Sequence, residues 1–220
     1  MSFDIAKKFI DYILTGPLKR SEYVIIEFIG GEPFIETELV DKITDYFKLR
    51  SFELDHEWYW KYRLNFSTNG VNYGDCEVQA YIEKNIHKMS CGITIDGTKE
   101  KHDLQRVYPD GRGSYDDVRK NIDLYLKQFS PNTKVTFSRE DLPMLKDSIL
   151  HLWEIGITEV SANVVFEDVW KADDDILFER QLIELADYVL NNQLYDQYYC
   201  TLFDEKIGGY YTQGRGELAN

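Results

Sequence analysis

Cysteine, histidine and basic residues are all scarce in this 220-residue chain, and each shortage excludes something. Cys76, Cys91 and Cys200 are an odd and scattered set, which argues against a disulfide framework and fits a reducing cytoplasm. No Cys-x-x-Cys, Cys-x-x-x-Cys-x-x-Cys or His-x-x-x-His spacing occurs, and His56, His87, His102 and His151 share no ligand spacing. Lys and Arg number 25 against 39 acidic residues, a formal charge of −14. That balance argues against nucleic acid, whose phosphates are met by clustered Lys and Arg. It fits a basic peptide partner or plain solubility. Apolar runs such as Tyr23–Ile26 are far shorter than the roughly 20 residues of a membrane span. Met1–Leu14 mixes acidic and basic residues along an amphipathic helix, unlike a signal peptide.

What is present alternates. Ser2 is a candidate N-cap for a helix carried by Phe3, Ala6, Phe9, Ile10, Ile13 and Leu14, and Gly16-Pro17 stops it. Tyr23–Ile29 reads as a buried strand ending in Gly30-Gly31, and Glu36–Lys48 as a helix. The aromatic stretch Trp58–Phe66 reads as a strand leading to the turn Ser67–Gly70. A helix over Cys76–Ile86 and a strand over Met89–Ile95 follow, then a long, charged, glycine-containing loop over Thr98–Gly113. Beyond it come a helix (Tyr115–Phe129), a strand (Lys134–Phe137), a helix (Leu142–Glu154), a strand (Glu159–Phe166) and a helix (Asp174–Leu190). The tail, with Gly208-Gly209 and Gly214-x-Gly216, reads as mobile. This alternation predicts an α/β fold with parallel strands and outer helices, in which loops after the strand ends build the site.

Three segments at predicted strand ends could carry chemistry. Gly30-Gly31-Glu32-Pro33 lets backbone approach a ligand, or is a tight turn before a helix. Ser67-Thr68-Asn69-Gly70 could line a site, though Asn-Gly is also a common turn. Thr94 and Asp96 share a strand face; Asp96 could meet ribose hydroxyls or cap the turn at Gly97.

Together they resemble the radical SAM superfamily. Gly30-Gly31-Glu32-Pro33 is similar to the motif ending that family's second strand, Thr68-Asn69-Gly70 to the end of its third, and Thr94-Ile95-Asp96-Gly97 to the end of its fourth. The stretches His102-Asp103-Leu104-Gln105-Arg106 and Gly111-Arg112-Gly113-Ser114 look like those of peptide and protein maturases with a SPASM-type extension, the group that includes anaerobic sulfatase maturases. The resemblance is strong over Phe28–Ser114 and general beyond it. It implies a partial (β/α)6 TIM-like barrel over residues 1–200, and a tail, 201–220, leading to a C-terminal extension. It also implies S-adenosylmethionine (SAM) as cofactor: Gly30, Gly31 and Glu32 at its amino group, with Pro33 among the cofactor-binding residues, Thr94 and Asp96 near its ribose, Arg106 at its carboxylate, and Thr68 and Asn69 lining the floor. Adenine would lie near Val164 and Val165. A precursor peptide or protein is the implied substrate, and ferredoxin or flavodoxin the implied electron donor.

The family's first strand and its Cys-x-x-x-Cys-x-x-Cys loop, which holds a 4Fe–4S cluster, have no counterpart here. The expectation is therefore a fragment, cut at both ends and inactive alone, or a degenerate barrel domain that binds SAM or peptide without redox chemistry. A barrel hydrolase using Glu32 and Asp96 as acid and base is a further alternative. It leaves Arg106 and the glycine pair without a role.

Overall fold

Parallel strands joined by helices are what the alternating pattern demands, and the computed structural model, which describes residues 1–17, 21–167 and 169–204, has them in two units: Met1–Ile93 and Thr94–Asn220.

The first unit opens with α1 (Phe3–Thr15), capped by Ser2, whose Oγ accepts the Ile5 N–H at 3.4 Å. Ala6, Ile10 and Leu14 form its buried stripe. β1 (Val24–Phe28), α2 (Thr37–Glu53), β2 (Tyr62–Thr68), α3 (Cys76–Asn85) and β3 (Met89–Ile93) follow. The strands pair in parallel in the order β1-β2-β3, with Phe28 opposite Phe66 and Phe66 opposite Cys91. Along β2, Tyr62, Leu64, Phe66 and Thr68 are buried, and the residues between them are more open. The helices seal that buried face. Phe47 of α2 packs edge-on to Tyr62, Tyr81 of α3 edge-on to Phe66, and Phe28 and Phe34 stack on Phe66 at 4.8 and 5.2 Å.

Two expectations change here. The helix expected to end at Lys48 runs on to Glu53, because its last turn is held by polar contacts that hydrophobic spacing does not register. Arg50 bridges Asp11 and Glu53, and buried Ser51 bonds the Phe47 carbonyl. Trp58 to Trp60 are not strand either. His56 Nδ1 accepts the Trp58 N–H at 3.1 Å and starts a short 3-10 turn, and pairing begins at Tyr62.

The second unit contains α4 (Lys99–Gln105), α5 (Tyr115–Gln128), β4 (Asn132–Phe137), α6 (Leu145–Glu154), β5 (Glu159–Val164), α7 (Asp174–Asn191) and β6 (Tyr199–Cys200). Its sheet, order β4-β5-β6, is again parallel. Val118, Ile122, Tyr125, Phe137, Leu145, Ile149, Leu152 and Val160 make its core.

The segment expected to be a long loop holds α4. Thr98 caps that helix through its hydroxyl, and its buried residues are Lys101 and His102. A helix that buries polar side chains shows no hydrophobic period, which is why the sequence pattern concealed it. The strand expected to reach Ile95 stops at Ile93; the Ile95 N–H turns to Thr133 Oγ1 at 3.2 Å instead of to a ladder. Pro143 splits the expected Leu142–Glu154 helix into a 3-10 turn (Leu142–Met144) and α6. The short strand β6 was not expected. The glycines at 208, 209, 214 and 216 lie outside the described residues.

Candidate functional site

In the first unit the site segment is built around one carboxylate. Gly30 and Gly31 follow β1 with φ of +90° and +58°, a backbone region that glycine enters at little cost. A Cβ at either would meet nothing within 4 Å, so backbone conformation selects glycine here and the space beside it stays open. The turn aims Glu32 at the end of β2. Glu32 Oε1 accepts the Thr68 hydroxyl at 2.7 Å and the Phe34 N–H at 3.1 Å, while Oε2 accepts the Asn69 N–H at 2.6 Å. Thr68 Oγ1 in turn accepts the Gly70 N–H, and Asn69 Oδ1 the Val71 N–H. Buried Pro33, its φ fixed by its ring, starts the 3-10 turn that leads into α2.

All six residues singled out in this unit thus meet in one knot. Every described partner of the Glu32 carboxylate is a neutral donor. Cys91, buried on β3, has its thiol pushed up to about 12, first by burial and then by the Glu32 charge.

In the second unit the segment is built around an ion pair. Arg106 Nε donates to Asp96 Oδ2, which leaves the terminal nitrogens of the guanidinium to bond elsewhere. The pair sits on a buried scaffold. His102 Nδ1 accepts the Asp96 N–H at 3.2 Å, which leaves the ring proton on Nε2 to meet Ser114 Oγ at 3.1 Å. Ser114 Oγ donates in turn to the Arg106 carbonyl at 2.9 Å. Burial holds the His102 imidazole neutral, its pKa lowered to about 4.

The remaining motif residues supply shape. Gly97 has φ +120°, and a Cβ there would lie 2.3 Å from the Ser148 Cβ. Gly111 turns the chain with φ +84°, and a Cβ on Gly113 would strike the Asp103 carboxylate, which accepts the Tyr115 N–H at the start of α5. The His-Asp-x-x-Arg and Gly-x-Gly-Ser stretches are therefore one device for holding Arg106. Thr94 is half-buried two residues before Asp96, and no described partner takes its hydroxyl. Val164 closes β5 and lines a groove of about 290 Å³ with Trp170 and Phe178.

Sequence reasoning missed Lys101 altogether. It is 1% exposed, pairs with fully buried Asp141 at 3.0 Å, and donates to the Thr136 carbonyl at 2.9 Å. A lysine in a charged segment gives no hint of burial; only its place three residues after the Thr98 cap could have suggested an inward-facing first turn.

An iron–sulfur cluster does not fit the side chains described. Among these residues no three metal-ligating groups gather. Cys200 is buried with its thiol pushed up to about 11, Cys91 is buried likewise, and Cys76 stands exposed and alone at the start of α3. A thiol that resists ionisation is a poor iron ligand. No helix among the described residues is long and apolar enough to cross a membrane.

No family model matches the chain. An uncharacterized protein of Methanocaldococcus jannaschii is 27% identical over 181 residues, covering 75% of this chain and 53% of that protein. The chain thus spans about half the length of the curated relative it matches. Among solved structures, native anSMEcpe with bound AdoMet, an anaerobic sulfatase-maturating radical SAM enzyme, superposes with a TM-score of 0.72 at 18% identity, over 93% of this chain and 56% of that one. The same enzyme with AdoMet and the Kp18Cys peptide gives 0.70 at 17%, and with AdoMet and the Cp18Cys peptide 0.69 at 17%. The chain has a mixed α/β fold with two three-stranded parallel sheets, similar to the structure of that enzyme.

Proposed function

We propose that this chain is the SAM-binding core of a radical SAM peptide-modifying maturase, a partial six-fold (β/α) barrel over residues 1–200. One observation carries the reading: among the described residues, Glu32, set by two left-handed glycines and the Thr68–Asn69 turn, is engaged by neutral donors. A carboxylate held that way keeps its charge for a cationic group, which suits the amino group of SAM's methionine moiety. Gly30 and Gly31 leave open space at the same strand end. In the second unit, Asp96 would accept from ribose hydroxyls beside Thr94, and Arg106 would offer its two terminal nitrogens to a carboxylate, a geometry that a guanidinium fits. Adenine would lie against the backbone after β5, near Val164 and Val165.

The fold neighbours are solved with AdoMet and with peptides, which supports SAM as cofactor and a precursor peptide or protein as substrate. Bound SAM would supply the 5′-deoxyadenosyl group for hydrogen abstraction. The electron for that chemistry, from ferredoxin or flavodoxin in a reducing cytoplasm, requires a cluster that the described cysteines do not fit, so this chain's share is to bind and orient. The same cysteines favour a second reading, a barrel domain that binds SAM or peptide without redox chemistry.

Calorimetric titration of SAM tests the first reading. Glu32→Ala and Arg106→Ala are each expected to weaken binding at least tenfold, as loss of a charge-assisted contact of about 1.5–3 kcal/mol requires. An unchanged affinity in either variant removes that half of the assignment. Reconstitution with iron, sulfide and reductant is expected to yield no 5′-deoxyadenosine from this chain alone; its appearance would contradict the proposed division of labour.

A further inference from the structure

We propose that Lys101 and Asp141 are positioning residues: their buried ion pair sets the height and rotation of α4, and so aims the Arg106 guanidinium at the carboxylate of SAM. This rests on the SAM-binding reading above.

α4 cannot place itself. It has seven residues, too few to hold as a helix in water. Its one apolar residue, Leu104, is 52% exposed, and its buried residues are Lys101 and His102. Polar contacts therefore decide where it sits. His102 ties it to the neighbouring chain at Asp96 and Ser114. Lys101 ties it to the sheet: Nζ donates to the Thr136 carbonyl of β4 at 2.9 Å and stands 4.9 Å from the centre of the Phe137 ring.

The turn after β4 completes the grip. Fully buried Asp141 meets two side chains four residues apart, on one face of α4. Lys101 Nζ lies 3.0 Å from its Oδ2, and Gln105 Nε2 donates to the same oxygen at 3.4 Å. Oδ1 accepts the Ser138 N–H at 2.6 Å, which fixes the carboxylate to its own turn. Arg106 is the next residue after Gln105, and its N–H is held by the His102 carbonyl at 3.0 Å. A slip of α4 by one residue would swing Arg106 by about 100°.

Stability alone does not account for the charges, because an apolar pair of similar volume commonly serves a core as well as a buried ion pair. What the charges add is direction. A buried ammonium is satisfied at one spot, whereas apolar side chains tolerate sliding. The pair holds α4 in the register in which Arg106 Nε meets Asp96 and the terminal nitrogens remain for a ligand.

The test uses the full chain and the double replacement Lys101→Met with Asp141→Asn, which removes both charges and keeps an acceptor for the Ser138 N–H. Calorimetry compares SAM with decarboxylated SAM, which keeps the sulfonium, amine and adenosine. SAM is expected to bind about fivefold more weakly, the lower end of coupling between separate sites, and decarboxylated SAM to be unaffected. In Arg106→Ala the same double replacement is expected to cost SAM nothing further. Without ligand, the Arg106 Nε–H proton, assigned in nitrogen-15 spectra with Arg106→Lys, is expected to exchange with solvent at least tenfold faster in the double variant. The native chain supplies an arm that needs no variant to fold. By reciprocity, saturating SAM is expected to slow exchange of the Lys101 ammonium protons about fivefold, and decarboxylated SAM to leave it unchanged.

Equal losses for the two nucleosides, an additive loss in Arg106→Ala, or Lys101 exchange indifferent to SAM overturns the proposal. The readings fail separately: SAM bound with unchanged Arg106 exchange removes only this proposal, and faster Arg106 exchange in a chain that binds neither nucleoside removes only the cofactor assignment.

Discussion

The two site segments are built on opposite electrostatic plans. At the end of β1, Glu32 is tied down by a hydroxyl and two peptide N–H groups and has no described cationic partner. After β3, Asp96 is tied to Arg106, and the same unit holds a second, more deeply buried pair, Lys101 with Asp141. The first plan holds a carboxylate by neutral donors. The second is neutral overall and offers donor and acceptor side by side. The plans also differ in fragility: neutral donors tolerate the loss of a charge, and buried ion pairs do not.

Four experiments would sharpen or break that contrast. The largest effect is expected from Lys101→Met. Leaving the buried Asp141 carboxylate without its cation, held only by the neutral donors of Ser138 and Gln105, should cost about 3–5 kcal/mol in urea unfolding. A loss under 1 kcal/mol would mean that the pair does not anchor α4. Next comes Gly97→Ala, where a side chain meets Ser148 and the φ of +120° is strained; about 2–3 kcal/mol is expected by the same assay.

A gentler effect should follow pH. His102 is neutral when folded, with a pKa lowered to about 4 by burial, so between about pH 6.5 and 4 the unfolded chain binds the extra proton. That contribution to stability is complete above pH 6.5 and drains away as pH falls toward 4. His102→Gln should flatten this part of the melting-temperature profile, and an unchanged profile would place the titration elsewhere. The smallest effect is expected for Glu32→Gln, about 1 kcal/mol, because the amide oxygen can still accept from the Thr68 hydroxyl and the Phe34 N–H while the amide NH2 leaves the Asn69 N–H without its acceptor. A collapse of stability there would show the first segment to be as charge-dependent as the second.

The sequence carried the strands and helices wherever apolar spacing was the cause of structure. β1, α3, α5, β5 and α7 lie within two residues of the expected spans at both ends. It failed where polar groups are the cause. α4 buries Lys101 and His102, α2 is prolonged by Arg50 and Ser51, and the Trp58 turn is started by a histidine ring. The site shows the same division. The glycines and Glu32 were legible as a turn with a carboxylate, yet neither the Asp96–Arg106 pairing nor the role of Ser114 follows from spacing, since both depend on how α4 packs.

Of the three thiols, only Cys76 reaches solvent. The chain therefore comes with a single address for maleimide chemistry under native conditions. A fluorophore or spin label placed there, in the unit that carries Glu32, needs no engineering of the cysteine content, and a second label signal would announce unfolding.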